Sequence, residues 1–118
     1  QKKELDALSV KVLKLNGPLF FGSTEQLISV YNNAQNHKIL IIDMSIVSSI
    51  DLTGIYSLED VVKGAQSNGI ITYVSSANQN IKQVMNNVDF IKNIGKEYYK
   101  DSTESVIFHI LENNNQNI

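Results

Sequence analysis

The feature that most constrains the fold is an unbroken apolar run at residues 39–42, Ile-Leu-Ile-Ile, followed directly by Asp43. The run does not alternate between apolar and polar side chains, as a strand with one face in water would. A strand of this kind must be covered on both faces, which favours a parallel sheet with helices on each side. The run is also far shorter than the roughly 20 apolar residues that a membrane-spanning helix needs.

The rest of the chain alternates between strand and helix patterns. Helical spacing of apolar residues predicts helices at about 24–35, 52–67 and 81–88, and a last one that Ser102 or Thr103 caps. Strand patterns occur at 10–15, 19–21, 38–44, 70–74 and 98–99. Because Asn16-Gly17 favours a tight reversal, we expect the first two strands to form an antiparallel hairpin. This order predicts an α/β domain with a central, mostly parallel mixed sheet of four or five strands and four helices.

Composition indicates one domain and excludes several classes of protein. The chain has 118 residues, a net charge of -2, and no Arg among its ten basic residues, which argues against nucleic-acid binding. The absence of Cys excludes disulfides, zinc–thiolate sites and thiol catalysis. We expect an N-terminal linker at 1–9, the domain at 10–112, and a disordered, Asn-rich polar tail at 113–118.

The sequence offers no arrangement that suits catalysis, a metal or a cofactor. Neither His37 nor His109 has a Ser, Asp or Glu at a spacing that would build a catalytic triad. Glu59 and Asp60 are adjacent on a predicted helix, so their side chains point in different directions. No phosphate-binding glycine motif occurs. We therefore expect no enzyme activity, no metal site and no cofactor.

The most informative segment begins where the apolar strand ends at Asp43. We expect a loop at 45–50, then a helix that enters through 51–54, Asp-Leu-Thr-Gly, with Asp51 as its N-cap. Ligands of open α/β sheets bind in the crevice past the carboxyl ends of the strands, which is where this segment lies. A plain strand–loop–helix junction with a good cap would explain the same residues on physical grounds alone.

At these residues the sequence resembles a STAS domain, the fold of anti-sigma factor antagonists and of the cytoplasmic tails of SulP-type anion transporters. Residues 39–45 and 50–55 are similar to the family's hydrophobic strand, D-x-S, and D-x-[ST]-G. Residues 17–23, Gly-Pro-Leu-Phe-Phe-Gly-Ser, resemble the segment before the first helix in bacterial SulP proteins. Residues 81–95 and 102–111 resemble the closing helix–loop–helix.

The SulP resemblance implies a regulatory or assembly domain of a longer transporter of sulfate, bicarbonate or dicarboxylate. Its implied place is the cytoplasmic face of the plasma membrane, and the piece itself is expected to be soluble. The implied partners are the membrane domain of the same polypeptide, a second subunit and a cytoplasmic regulatory protein, and not nucleic acid.

The alternative is a free-standing antagonist or a stressosome-type protein that binds a partner kinase. In antagonists, the residue after the Asp of D-x-[ST]-G is a phosphorylated serine, but Leu52 stands there in this chain and has no hydroxyl.

Two surfaces are predicted to make contacts. The first is the regulatory or partner-contact site, comprising Ser48, Ser49, Asp51, Leu52, Thr53 and Gly54. Leu52 is expected to project from the junction rather than join the core, and contact there should not require phosphorylation of Thr53. The second is a candidate interface at Leu19, Phe20 and Phe21, because an aromatic pair on a short edge strand only half-buries itself within one domain.

Overall fold

The computed structural model describes residues 3, 7–19, 28–30, 32 and 34–116, and within them four strands form one sheet. In sheet order the strands are β1 (Val10–Leu19), β2 (Ile39–Ile50), β3 (Ile71–Ser75) and β4 (Tyr99–Lys100), and each pairing is parallel. The helices are α1 (Leu52–Ser67), α2 (Gln79–Asn87), α3 (Phe90–Ile94) and α4 (Thr103–Gln116), with a 3-10 turn at Lys96–Tyr98. The predicted α/β class is confirmed. In the predicted first helix, residues 28–30, 32 and 34 are helical, and residue 35 lies in a turn.

Strand β1 shows that the predicted antiparallel hairpin is wrong. The chain does not reverse at Asn16-Gly17 but continues to Leu19 as one strand, parallel to β2. Gly17 has a φ of +69° and lies between two register shifts, so its conformational freedom bends the strand instead of reversing it. Pro18 has no backbone N–H to donate to a second neighbouring strand. This strand accommodates it because β1 is an edge strand of the described sheet. Phe20 and Phe21 lie outside the described residues.

Strand β2 is longer than the sequence indicated, and the loop expected at 45–50 is in fact strand. The 10 residues of β1 lie beside the 12 residues of β2, and the two extra β2 residues are absorbed at two bulges. Each bulge interrupts the alternation of inward and outward side chains. Residues 45–50 therefore lack the regular alternation that would have indicated a strand, and their sequence was interpreted as a loop.

Both faces of β2 are covered, as the apolar run predicted. On one face, Leu40, Ile42 and Met44 belong to a large apolar cluster. The helical side chains in it are Val30, Ala34, Ile55, Leu58, Val62, Ala65, Ile81, Met85, Phe90 and Ile94. On the other face, Ile41 belongs to a smaller cluster, whose remaining buried members are Tyr73, Val106 and Ile110. Helix α4 therefore lies on one side of the sheet and α1, α2 and α3 on the other.

The ends of the helices match the sequence in part. Gly69 follows the end of α1 with a φ of +84°, a left-handed conformation in which glycine commonly terminates a helix. The Ser102 Oγ accepts a hydrogen bond from the Ser105 N at 3.1 Å and so caps α4. The segment after α2, expected to be a connection, contains the short helix α3. Helix α4 continues to Gln116, so residues 113–116 of the tail that was expected to be disordered are helical.

Candidate functional site

The candidate site is the β2–α1 junction, by which we mean residues 48–54. Ser48 and Ser49 are exposed near the end of β2, and Asp51, Leu52 and Thr53 are exposed where α1 begins. The Oδ1 of Asp51 accepts a hydrogen bond from the backbone N of Gly54 at 2.7 Å, which is the predicted N-cap. The predicted contact residues therefore lie on one exposed stretch of chain, with the exception of Gly54.

Gly54 is buried and allows the end of β1 to approach α1. A Cβ at this position would lie 2.7 Å from the Leu19 carbonyl oxygen and 2.9 Å from Ile50 Cγ1, closer than side chains pack. The same Leu19 oxygen accepts a hydrogen bond from the Asp51 N at 3.3 Å. The glycine of the D-x-[ST]-G pattern thus serves close packing here, a role that was not apparent from the sequence.

Leu19 cannot contribute its side chain to an interface. Its side chain is 2% exposed and belongs to the large apolar cluster. The predicted hairpin would have placed it on a separate edge strand, whereas the continuous β1 directs it into the core. The other two residues of that candidate interface, Phe20 and Phe21, lie outside the part of the chain that the structure describes.

Leu52 and Tyr56 form an exposed apolar pair on α1. Their exposed fractions are 52% and 51%, so Leu52 projects from the junction as the sequence indicated. Residues four positions apart lie on the same face of a helix, which makes Tyr56 a neighbour of Leu52 on the surface. Sequence reasoning did not select Tyr56, although its spacing from Leu52 was the available signal. An apolar pair beside hydroxyl groups suits contact with a protein better than proton transfer.

Asp43, the first residue of the D-x-S pattern, is buried on the α4 side of the sheet. Its Oδ1 accepts a hydrogen bond from the Ser45 N at 2.8 Å, and its Oδ2 accepts one from the Thr103 Oγ1 at 2.8 Å. Burial by itself would raise the pKa of Asp43. The hydrogen bonds from Ser45 and Thr103 and the positive charge of Lys14 lower it by more, so the pKa lies below its ordinary value of 3.8. The Asp43 carboxylate is therefore ionised, and each of its oxygens accepts a hydrogen bond from within the fold.

Two of the ionisable groups that the sequence raised as catalytic candidates, His109 and Glu59, have structural contacts. The His109 ring meets the Tyr73 ring edge-on, with 6.0 Å between centroids, and its Nε2 lies 3.1 Å from the Asn113 Nδ2. Glu59 Oε1 accepts a hydrogen bond from the Asn93 Nδ2 at 3.0 Å, which links α1 to α3.

Two further features are absent from the described residues. Across 7–19, 28–30 and 34–116, with the single residues 3 and 32, no three His, Asp or Glu side chains are grouped so that they could hold a metal ion. Within the same part of the chain, no helix combines the length and the apolar character needed to cross a membrane.

A family model for the STAS domain matches residues 3–105. The chain belongs to the STAS family. The strand-to-helix junction that carried the resemblance in the sequence lies in the centre of this match, so the recognition of a STAS domain is confirmed. None of the curated protein sequences matches this STAS domain.

Three solved structures of transport-related proteins are similar to this STAS domain. A sulfate transporter family protein from Wolinella succinogenes superposes with a TM-score of 0.70 and 28% identity, over 80% of this chain and 79% of that one. The STAS domain of a SulP transporter from Vibrio cholerae gives 0.75 and 19% identity, over 98% and 99%. The murine anion transporter Solute Carrier 26 family member A9 gives 0.75 and 19% identity, over 86% of this chain and 18% of that one. The structures similar to this chain therefore include STAS domains of SulP-type and related transporters, in line with the resemblance seen in the sequence.

The anti-sigma factor antagonist SpoIIAA, in its unphosphorylated form, has the same fold. It superposes with a TM-score of 0.67 and 14% identity, over 90% of each chain. The predicted STAS fold class is confirmed by these likenesses. At such low identity a structural likeness shows the fold alone, so SpoIIAA and the transporter domains do not by themselves distinguish between roles.

Proposed function

We propose that this STAS domain is the cytoplasmic regulatory and assembly domain of a SulP-type secondary anion transporter, and that it acts through protein contacts rather than catalysis. The observation that carries the proposal is Leu52, which is half exposed at the start of α1. Where the resemblance implies a phosphorylated serine in antagonists, this chain presents an apolar contact residue. The likeness to the Wolinella and Vibrio proteins supports the transporter setting. Sulfate, bicarbonate and dicarboxylate remain the candidate ions.

The contact surface that we propose is the β2–α1 junction extended by Tyr56. Protein interfaces commonly have an apolar centre and a polar rim. Leu52 and Tyr56 supply the apolar centre, and the exposed side chains of Ser48, Ser49 and Thr53 supply the rim. The partners that fit the proposal are the membrane domain of the same polypeptide, a second subunit, and a cytoplasmic regulatory protein. The murine transporter supports the first of these, because a domain of this fold forms only part of its chain.

The alternative is a free-standing antagonist or stressosome-type protein that binds a kinase. Its support is the likeness to SpoIIAA over 90% of both chains. Leu52 cannot accept a phosphoryl group, which leaves the neighbouring Thr53 as the exposed hydroxyl in the first turn of α1. A phosphate there would be favoured by the helix dipole but repelled by the Asp51 carboxylate, which already caps the helix.

The deciding experiment replaces Leu52 with Asp in the full-length parent protein, with Thr53→Glu tested separately. We expect Leu52→Asp to reduce transport or the recovery of the assembled complex, because it places a charge at the centre of an apolar contact. The melting temperature of this 118-residue chain should remain unchanged, since Leu52 is exposed.

Phe108→Asp is the matched control, because Phe108 is 63% exposed and lies on α4, on the other side of the sheet. It should leave transport and complex recovery at the level of the unmodified protein. Unchanged transport and complex recovery for both Leu52→Asp and Thr53→Glu would show that the junction is only a well-capped helix.

A further inference from the structure

Helix α4 is fastened to the sheet at its first residue. The Thr103 Oγ1 lies 2.8 Å from the Asp43 Oδ2, 2.7 Å from the Ser75 Oγ and 3.5 Å from the Ser76 Oγ. A hydroxyl carries one hydrogen and an ionised carboxylate only accepts, so Thr103 donates to Asp43 and Ser75 donates to Thr103. We call the side chains of Ser75, Thr103 and Asp43 the relay. It runs in a fixed direction from β3 through α4 to β2.

Two members of the relay are buried. Ser75 is fully buried and Asp43 is 5% exposed, so the Ser75 hydroxyl and the Asp43 Oδ2 would each lose a hydrogen-bond partner if Thr103 moved away. The strand register places Asp43 and Ser75 in one row that begins at Lys14 on β1 and ends at Lys100 on β4. The charge of Lys14 attracts the Asp43 carboxylate, whereas β3 and α4 present hydroxyls to the relay.

The rest of α4 has a smaller apolar contact with the sheet than the helices of the opposite face. Its buried side chains, Val106 and Ile110, pack with Ile41 and Tyr73, and Leu8, Val10, Ile39, Tyr98 and Ile107 lie partly buried against them, while the large apolar cluster lies on the opposite face. The helix has 14 residues, a length at which isolated helices are marginal in water, so α4 depends on its anchors. Sub-global opening concentrates in elements with few buried apolar contacts.

We propose that the relay of Asp43, Thr103 and Ser75 is a latch, and that α4 opens from the sheet as a unit while β2 and α1 stay folded. Opening uncovers Ile41 and Tyr73, which are buried when the latch is closed. The latch therefore controls whether the apolar surface around Ile41 and Tyr73 is exposed, in addition to the exposed pair Leu52 and Tyr56. This inference is independent of the proposed transporter role.

The test is residue-resolved hydrogen exchange on the 118-residue chain, comparing wild type with Thr103→Val and Thr103→Ser. Valine keeps the shape of threonine but removes the hydroxyl, whereas serine retains it. With Thr103→Val, the amides of residues 106–112 should exchange at least about tenfold faster, because the Ser75 hydroxyl and the Asp43 Oδ2 lose the hydrogen bond to Thr103 in the closed state. The amides of 40–43 and 58–65 should keep their wild-type rates, and Thr103→Ser should exchange like wild type.

Two outcomes would overturn the latch. One is unchanged exchange in α4 with Thr103→Val, and the other is equal acceleration in α1, β2 and α4, which would show a single cooperative unit. If Thr103→Val does not fold, hydrogen exchange of the wild type at low denaturant concentrations tests the latch instead. The latch predicts that α4 amides exchange through an opening that is easier, and less sensitive to denaturant, than the opening of α1. Exchange of α4 amides as slow as those of α1, with the same denaturant dependence, would contradict it.

Discussion

The two faces of the sheet are built differently, although the same strand supplies side chains to both. On one face, Leu40, Ile42 and Met44 of β2 join the large cluster with α1, α2 and α3. On the other face, Ile41 packs with α4, and the partly buried Leu8 and Tyr98 lie against the same cluster. The neighbouring strands leave Val12 and Ile71 at 36% and 44% exposed. That second face also carries Asp43 and Ser75 in place of apolar side chains.

This difference indicates two kinds of stabilisation within one small domain. The first face is held by apolar burial, which is non-directional and roughly proportional to the area removed from water. The second face is held partly by the hydrogen bond from Thr103 to Asp43, which needs a particular geometry and is lost when the Thr103 hydroxyl is removed. A domain built in this way can keep its core while one layer moves.

The largest expected effect comes from replacing the adjacent residues Ile42 and Ile41 with alanine. Both are fully buried, but they point to opposite faces. Each substitution should lower the free energy of unfolding by about 2–5 kcal/mol, because it leaves a cavity in a packed interior. Ile42→Ala should lie at the upper end of that range, since the large cluster has little freedom to collapse, and Ile41→Ala at the lower end, since α4 can shift towards the cavity. Urea unfolding of both variants measures the difference.

The Ile41→Ala and Ile42→Ala variants also test whether the two faces of the sheet differ in rigidity. A higher cost for Ile41→Ala than for Ile42→Ala would show that the α4 side is the more rigid one. A cost below about 0.5 kcal/mol for Ile41→Ala would show that this residue does not lie in a packed interior at all.

Helix α1, which packs on the face with the large cluster, was the part of the fold that the sequence predicted most fully. The apolar spacing of Ile55, Leu58 and Val62 predicted α1, and Asp51 marked its start. These features are local, since a helix face repeats every three or four residues and a cap acts within the first turn. The family resemblance and the exposure of Leu52 followed from the same local segment.

The features that sequence reasoning missed depend on contacts between distant residues. The two bulges of β2 come from its pairing with β1, and Gly17 alone does not reveal whether a strand bends or reverses. Asp43 and Thr103 are 60 positions apart, so their hydrogen bond has no spacing that a pattern could reveal. Asp43 was predicted only as the end of a buried strand, and its part in holding α4 became apparent from the fold.

The next largest effect is the response of the second face to acid. The folded-state pKa of Asp43 lies below 3.8, so between the two values the unfolded chain binds more protons than the folded one. The stabilisation by Asp43 is therefore complete above 3.8 and is lost as the pH falls through its folded-state pKa. Wild type should lose more stability than Asp43→Asn between about pH 5 and pH 2, as measured by thermal unfolding. Parallel losses in the two proteins would show that the carboxylate does not stabilise the α4 side.

The smallest expected effect concerns the ion pair that connects the two layers at the surface. Lys82 on α2 places its Nζ 2.6 Å from the Asp101 Oδ1, just before α4 begins, and the Lys82 pKa is raised by the hydrogen bond to Asp101. The two side chains are 28% and 75% exposed, so water and salt screen the interaction. A double-mutant cycle with Lys82→Gln and Asp101→Asn should therefore give a coupling below about 1 kcal/mol, and less in about 1 M salt. A larger, salt-independent coupling would mean that α2 holds the base of α4 firmly, in which case the two faces could not open separately and the distinction between them would fail.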